Sequence, residues 1–169
     1  MSEYPKNPVL QLVETKDGSQ TIVNEALGST YHSRHGALTE SLHVFIDKGL
    51  RKQIENGMTD VSLLEMGFGT GLNAVLSAQL SKQEKLTVNY HGLELFPVSE
   101  EVWTQYKLPQ ELNAEQELFE NMHKCEWNKT NAVLERFLLT KHQISLLDFQ
   151  PEIMFDLVYY DAFEPETQP

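Results

Sequence analysis

Glu65-Met-Gly-Phe-Gly-Thr-Gly71 places an acid just ahead of three glycines at alternate positions. Glycines so spaced let the backbone turn sharply, approach a ligand closely and aim helix N–H groups at negative charge. The spacing is G-x-G-x-G, not the G-x-G-x-x-G of dinucleotide sites. Glu65 would be awkward beside a pyrophosphate and useful beside a cation. S-adenosylmethionine has that profile: an ammonium, a sulfonium, a carboxylate suited to a helix N-terminus, and no phosphate. Further along, Glu94 closes the next strand-like stretch, where a carboxylate can accept both hydroxyls of a ribose. The plainer alternative makes Glu94 a surface acid and the glycines simple turns.

A second constellation is Asp161-Ala-Phe-Glu-Pro165. A carboxylate at Asp161 can hold an amine nucleophile by a charge-assisted hydrogen bond, orient its lone pair or help remove its proton. Phe163 can stack on a planar substrate, as aromatics do on unstacked RNA bases. The competing reading makes Asp161 a helix N-cap and Phe163 a core residue. Tyr31, His32, Arg34 and His35 form a polar and aromatic knot. Two histidines three apart can ligate a metal, but no third ligand is obvious, so contact with substrate or cofactor is the expectation and no metal is assigned. Cys125 has nothing to lower its pKa decisively and reads as an inert thiol. His43, on a helix flank, reads as structural.

These groups need elements to hold them. Val9 to Thr15 and Gln20 to Leu27 are β-prone and flank Asp17-Gly18, a hairpin signal. Residues 31–37 read as a loop. Leu38, Leu42, Phe45, Ile46 and Leu50 form the apolar stripe of an amphipathic helix that ends at Gly57. Val61 to Met66 reads as a buried strand, and Leu72, Val75, Leu76 and Leu80 give the helix after the glycine turn. Leu86 to Glu94 is a second strand. Pro97 is expected to start a helix carrying Trp103 and Tyr106, and 108–127 reads as an acidic helix, with 111–120 its solvated face. One strand is expected within 133–144, and a last one over 155–160 that stops at Asp161. Alternating strands and helices after residue 60 imply a parallel sheet with right-handed crossovers. About four strands are expected, the last with an uncovered edge.

The chain has 169 residues, one domain's worth. It divides into 1–58, a hairpin, substrate-side loop and helix, and 59–169, a Rossmann-like cofactor-binding core that reads as truncated. No apolar run approaches a membrane span, and the N-terminus lacks a secretory h-region. With a single cysteine, these features predict a cytoplasmic protein and no membrane partner. Thirteen Lys+Arg against 25 Asp+Glu give −12, which argues against wrapping nucleic acid. Residues 1–58 are nearly balanced, six against seven. Polyanion contact is therefore expected there, around Lys48, Arg51 and Lys52.

Together, residues 31–45 (Tyr-His-Ser-Arg-His-Gly-Ala-Leu-Thr-Glu-Ser-Leu-His-Val-Phe), Glu65-Met-Gly-Phe-Gly-Thr-Gly-Leu-Asn73, Glu94-Leu-Phe-Pro97 and Tyr160-Asp-Ala-Phe-Glu-Pro165 resemble, in order, the tRNA (5-methylaminomethyl-2-thiouridine) methyltransferases. The resemblance runs from about residue 10 to the end. It implies a class I methyltransferase fold, an open parallel sheet with helices on both faces, that uses S-adenosylmethionine to methylate the aminomethyl group of a wobble uridine in tRNA. Carried over by position, Glu65, Gly67, Phe68, Gly69, Thr70, Gly71 and Asn73 belong to the methionine-side loop, and Glu94, with Leu95, to the ribose side. Asp161 and Phe163 would face the amine, and Tyr31, His32, Arg34 and His35 would close over the pocket. Some family members carry a fused oxidase that prepares the amine, which implies a fusion or partner oxidase here. Where the family often has a Gly-Asp pair near the adenine, this chain reads Thr140-Lys-His-Gln143, so the adenine contact is unassigned. Family members also continue past residue 165 with a helix and further strands. Rival expectations are a methyltransferase for another amine, a truncated non-catalytic module, and a dinucleotide oxidoreductase, the last disfavoured by the glycine spacing.

Overall fold

A computed structural model describes residues 10–16, 18, 20–24, 29–30, 36–108 and 110–160. The expected hairpin is present: β1 (Leu10–Glu14) and β2 (Gln20–Asn24) pair antiparallel, and β3 (Ser29–Thr30) adds to β2. Gly18 has φ +79°, the left-handed conformation that its place in the turn requires. Asp17, the other half of that signal, lies outside the described residues. Gln20 ties the hairpin to the rest of the molecule by accepting the Lys107 N–H through its side-chain oxygen at 2.8 Å.

The first helical stretch is continuous but changes its winding. It comprises α1 (Ala37–Glu40), a π-helical segment Ser41–Leu50, and α2 (Arg51–Glu55). The Arg51 N–H reaches back five residues to the Ile46 carbonyl, the π pattern. Wider winding moves the buried stripe. Ala37, Ser41, the adjacent pair Phe45 and Ile46, and Leu50 face the core, whereas Leu42, expected on the stripe from ordinary α spacing, is 39% exposed. Gly57 ends the stretch as expected. Its φ is +87°, and the Met58 and Gly57 amides bond to the Gln53 and Ile54 carbonyls, a Schellman closure.

The main sheet has five strands in the order β6-β7-β5-β4-β8. β4 (Asp60–Met66), β5 (Thr87–Leu93), β7 (Phe137–His142) and β8 (Leu157–Tyr160) are mutually parallel. The region expected to hold one strand, 133–144, instead takes part in two. β6 (Thr130–Leu134) turns at Glu135-Arg136 and runs back antiparallel to β7. Edge strand β8 leaves Val158 and Tyr160 exposed. Apolar side chains at alternate positions of β4, β5 and β7, including Val61, Leu63, Val88, Tyr90, Phe137 and Leu139, fill one face of the sheet.

That face is covered by α3 (Leu72–Glu84) and by the π segment, whose Phe45 ring lies 5.0 Å from the Tyr159 ring. Leu72, Val75, Leu76 and Leu80 are buried as expected. Ala74, Ala78, Ser77 and Ser81 are buried too, and these small residues let α3 lie close to the strands, with Ser81 Oγ donating to the Leu86 carbonyl at 2.7 Å. The helix expected from Pro97 is a single turn, α4 (Glu100–Trp103), with Ser99 as its N-cap. Thr104 Oγ1 and the Gln105 side-chain amide fold back onto the Glu100 and Glu101 carbonyls and close that turn. Tyr106 lies beyond it, buried. The stretch read as one acidic helix is a 3₁₀ segment, Gln110–Glu115, followed by α5 (Gln116–Lys124). Leu118, Phe119 and Met122 turn inward while Glu111 and Glu117 face water.

Candidate functional site at the carboxyl rim of the sheet

The four parallel strands end together: Met66 is in register with both Leu93 and Tyr160, and Leu93 with His142. This rim carries the glycine loop and Glu94, and Asp161 is the next residue in the chain after β8. Open parallel sheets bind ligands at such an edge. Asp161 and Phe163 themselves lie outside the described residues, as do Tyr31, His32, Arg34 and His35.

Gly67, Gly69 and Gly71 all have positive φ, +87°, +52° and +77°. Gly67 is the open point of the loop, with nothing within 4 Å of where a Cβ would stand. Gly71 is the opposite: a Cβ there would meet Phe68 Cζ at 3.1 Å. The loop amides largely turn inward. Those of Gly67 and Phe68 share the Leu93 carbonyl at 3.0 and 2.9 Å, Gly71 bonds to the Phe68 carbonyl at 2.8 Å, and Gly69 bonds to Glu94 Oε2 at 3.1 Å. Four loop amides are thus spent within the protein.

Glu94 is buried and bridges two backbone amides, Gly69 through Oε2 and Phe96 through Oε1 at 2.9 Å. Burial raises its pKa, and those hydrogen bonds oppose the rise. Its two oxygens retain lone pairs for hydroxyl donors. Leu95, half-buried, follows on the same rim.

Glu65 does not stand at the open edge. It is 2% exposed beneath the loop, where Oε1 accepts from Asn73 Nδ2 at 3.0 Å. The pair joins the end of β4 to the first turn of α3. Burial first, and the Glu65 carboxylate second, hold the Tyr90 hydroxyl well above its usual pKa. Thr70 is also buried, its Oγ1 3.4 Å from the Leu72 N–H.

Phe68 is a packing residue in this structure. Its ring lies edge-on to His123 and Trp127, and Gly92 must be glycine to admit it. Two groups beside it went unnoticed in the sequence: His123, whose Nε2 lies 2.9 Å from the Thr70 carbonyl, and Lys141, fully buried in β7. The available signals were the i, i+4 pair Phe119 and His123 on α5, and a lysine at an inward position of an alternating strand.

Of the expected basic cluster, Arg51 meets Asp47 and Glu84, and Lys52 meets Glu55. Carboxylates therefore offset much of its charge. Burial raises the Cys125 thiol, in keeping with an inert residue. His43 faces solvent. No helix among the described residues is long and apolar enough to cross a membrane.

The parallel strands, the glycine turn and the acid closing the second strand define a Rossmann-like open α/β fold. Its likeness to a crystal structure of MnmC2 from Aquifex aeolicus establishes this: TM-score 0.75 at 24% identity, covering 95% of this chain and 52% of that one. By sequence the chain is similar to the tRNA 5-methylaminomethyl-2-thiouridine biosynthesis bifunctional protein MnmC of Delftia acidovorans, 26% identical over 155 residues, which is 84% of this chain and 23% of that protein. It is also similar to the protein of the same name from Pseudomonas aeruginosa, 32% identical over 83 residues, 46% of this chain and 13% of the relative. The chain thus spans less than a quarter of the length of these curated relatives. No family model matches it.

Proposed function

We propose that the chain is an S-adenosylmethionine-dependent methyltransferase unit acting on the aminomethyl group of a modified wobble uridine in tRNA. The carrying observation is the buried Glu94 carboxylate, docked on the glycine loop through the Gly69 amide. A carboxylate at that point favours a ribose and repels phosphate. The inward-turned amides of Gly67, Phe68 and Gly71 agree with a ligand that brings no pyrophosphate, and the open space over Gly67 lets such a ligand lie against the backbone. The names of the relatives supply the substrate class.

When bound, the cofactor supplies an electrophilic methyl on a positively charged sulfur. Glu94 and Leu95 hold the ribose side. Gly67 and Gly69 form the floor, and Glu65 with Asn73 braces that floor from below. Asp161 receives an N–H of the substrate amine and orients its lone pair toward the methyl, and Phe163 stacks on the uracil ring. Tyr31, His32, Arg34 and His35 close over the pocket and exclude water. Positioning of this kind is worth several kcal/mol of barrier without a covalent intermediate. An oxidase, fused or separate, generates the amine, and the reaction belongs in the cytoplasm.

Calorimetric titration with S-adenosylmethionine, followed by methyl-transfer assays on tRNA carrying the aminomethyl group, tests this reading. Glu94→Ala should weaken cofactor binding about tenfold or more. Asp161→Ala should spare binding and cut transfer at least about a hundredfold. Absence of cofactor binding by the unaltered chain overturns the proposal, and transfer to small amines in preference to the tRNA overturns its substrate.

A further inference from the structure

Lys141 and His123 come from elements far from the glycine loop in sequence, yet they meet it from below. Lys141 is fully buried and donates from Nζ to the backbone carbonyl of His123 at 2.8 Å. Its ammonium lies 4.7 Å from the centroid of the Trp127 ring, a cation–π contact. Among the described residues no carboxylate forms a salt bridge with it. Lysines are seldom fully buried without one. Burial lowers its pKa to about 8.

His123, on the last turn of α5, is stacked on Trp103 at 5.1 Å and packed against Phe119 at 4.6 Å. The Thr70 carbonyl only accepts, so Nε2 carries the proton in their 2.9 Å contact. Burial lowers the imidazole to about 4, which keeps the ring neutral at physiological pH. The peptide that begins at this carbonyl gives its own N–H, that of Gly71, to the Phe68 carbonyl. The Thr70–Gly71 peptide is therefore gripped on both sides. Its orientation sets the direction in which α3 leaves the loop.

We propose that His123 and Lys141 are positioning residues for the cofactor: Lys141 fixes the end of α5, and His123, held there, locks the Thr70–Gly71 peptide in the conformation that receives the methyl donor. This rests on the methyltransferase reading above. It differs from a packing role in a checkable way. His123→Phe keeps a stacked ring and Lys141→Met keeps the buried stem, so simple packing would survive both.

The test measures S-adenosylhomocysteine binding by calorimetry, melting temperature, and hydrogen exchange of amides 67–72, in the unaltered chain and in His123→Phe, His123→Gln and Lys141→Met. His123→Phe and Lys141→Met are expected to weaken binding about tenfold, and His123→Gln, which returns an N–H to the Nε2 position, to stay within about threefold. Loop amides should exchange faster in the first two, with β4 and β5 unchanged. Lys141→Met exchanges an unpaired buried charge for an apolar chain of similar length, which folding tolerates, so it decides the matter alone if His123→Phe does not fold. Unaltered affinity and loop exchange in the variants that fold overturn the proposal while leaving the methyltransferase reading in place. If the unaltered chain binds neither S-adenosylhomocysteine nor S-adenosylmethionine, that reading falls, and the positioning role with it.

Discussion

Gly92 measures how tightly the chain closes under the loop. A Cβ there would stand 2.7 Å from Phe68 Cδ2, so either the ring or the strand must shift. Gly92→Ala is expected to cost about 2 kcal/mol, as overpacking does. Gly57→Ala makes a useful contrast, because its φ of +87° is strained for alanine but nothing lies within 4 Å. Its cost should be about 1 kcal/mol, backbone strain alone. Urea denaturation of the two variants separates the effects. Equal losses would mean that Phe68 moves aside freely and does not anchor the loop.

The π-helical segment makes an equally specific claim. Phe45 packs on Tyr159, while Leu42 looks outward. Phe45→Ala should therefore lose about 3–5 kcal/mol and Leu42→Ala less than about 1. Ordinary α winding would make both expensive. Between β5 and β7, His91 Nδ1 lies 2.9 Å from His142 Nε2 with the rings stacked, and Phe155 and Phe149 pack against the pair. One nitrogen must donate and the other accept, so a doubly charged pair is disfavoured. Burial lowers both imidazoles, His91 from 6.5 to about 4, with the neighbouring His142 a second cause. Between these values the unfolded chain binds a proton that the native pair declines, so stability falls as pH drops from about 6.5 to 4. His123 acts in the same sense. Glu94, whose pKa is raised, acts in the opposite one. Denaturation midpoints should decline as pH falls below 6.5, and His91→Gln should flatten the decline. A profile unchanged down to pH 5 would contradict a neutral, half-buried pair.

At the scale of the whole chain, the net charge is −12, and Arg51 and Lys52 of the basic cluster are paired with carboxylates. Anisotropy measurements at physiological salt should find tRNA bound with Kd above about 10 μM, the sequence-independent range. Submicromolar binding would show a basic face elsewhere in the chain. Short-range patterns were legible without coordinates. Strands at 60–66 and 87–93, helix 72–84 and the Gly57 stop follow from strand-like apolar runs, helical spacing and a positive-φ glycine, all of which act within a few residues. Other features were decided only when distant segments met. The 133–144 stretch became part of a hairpin because β7 had β5 to pair with on one side and left an edge for β6 on the other. Leu42 turned outward because the helix widened its winding. Phe68 went inward because Gly92 lies opposite it, and the loop amides turned to Leu93 and Glu94 on a neighbouring strand. Lys141 and His123 acquired their part through a carbonyl 18 residues from one and a loop 53 residues from the other. Burial and hydrogen-bond partners across such separations are properties of the packed chain, and local residue spacing does not encode them.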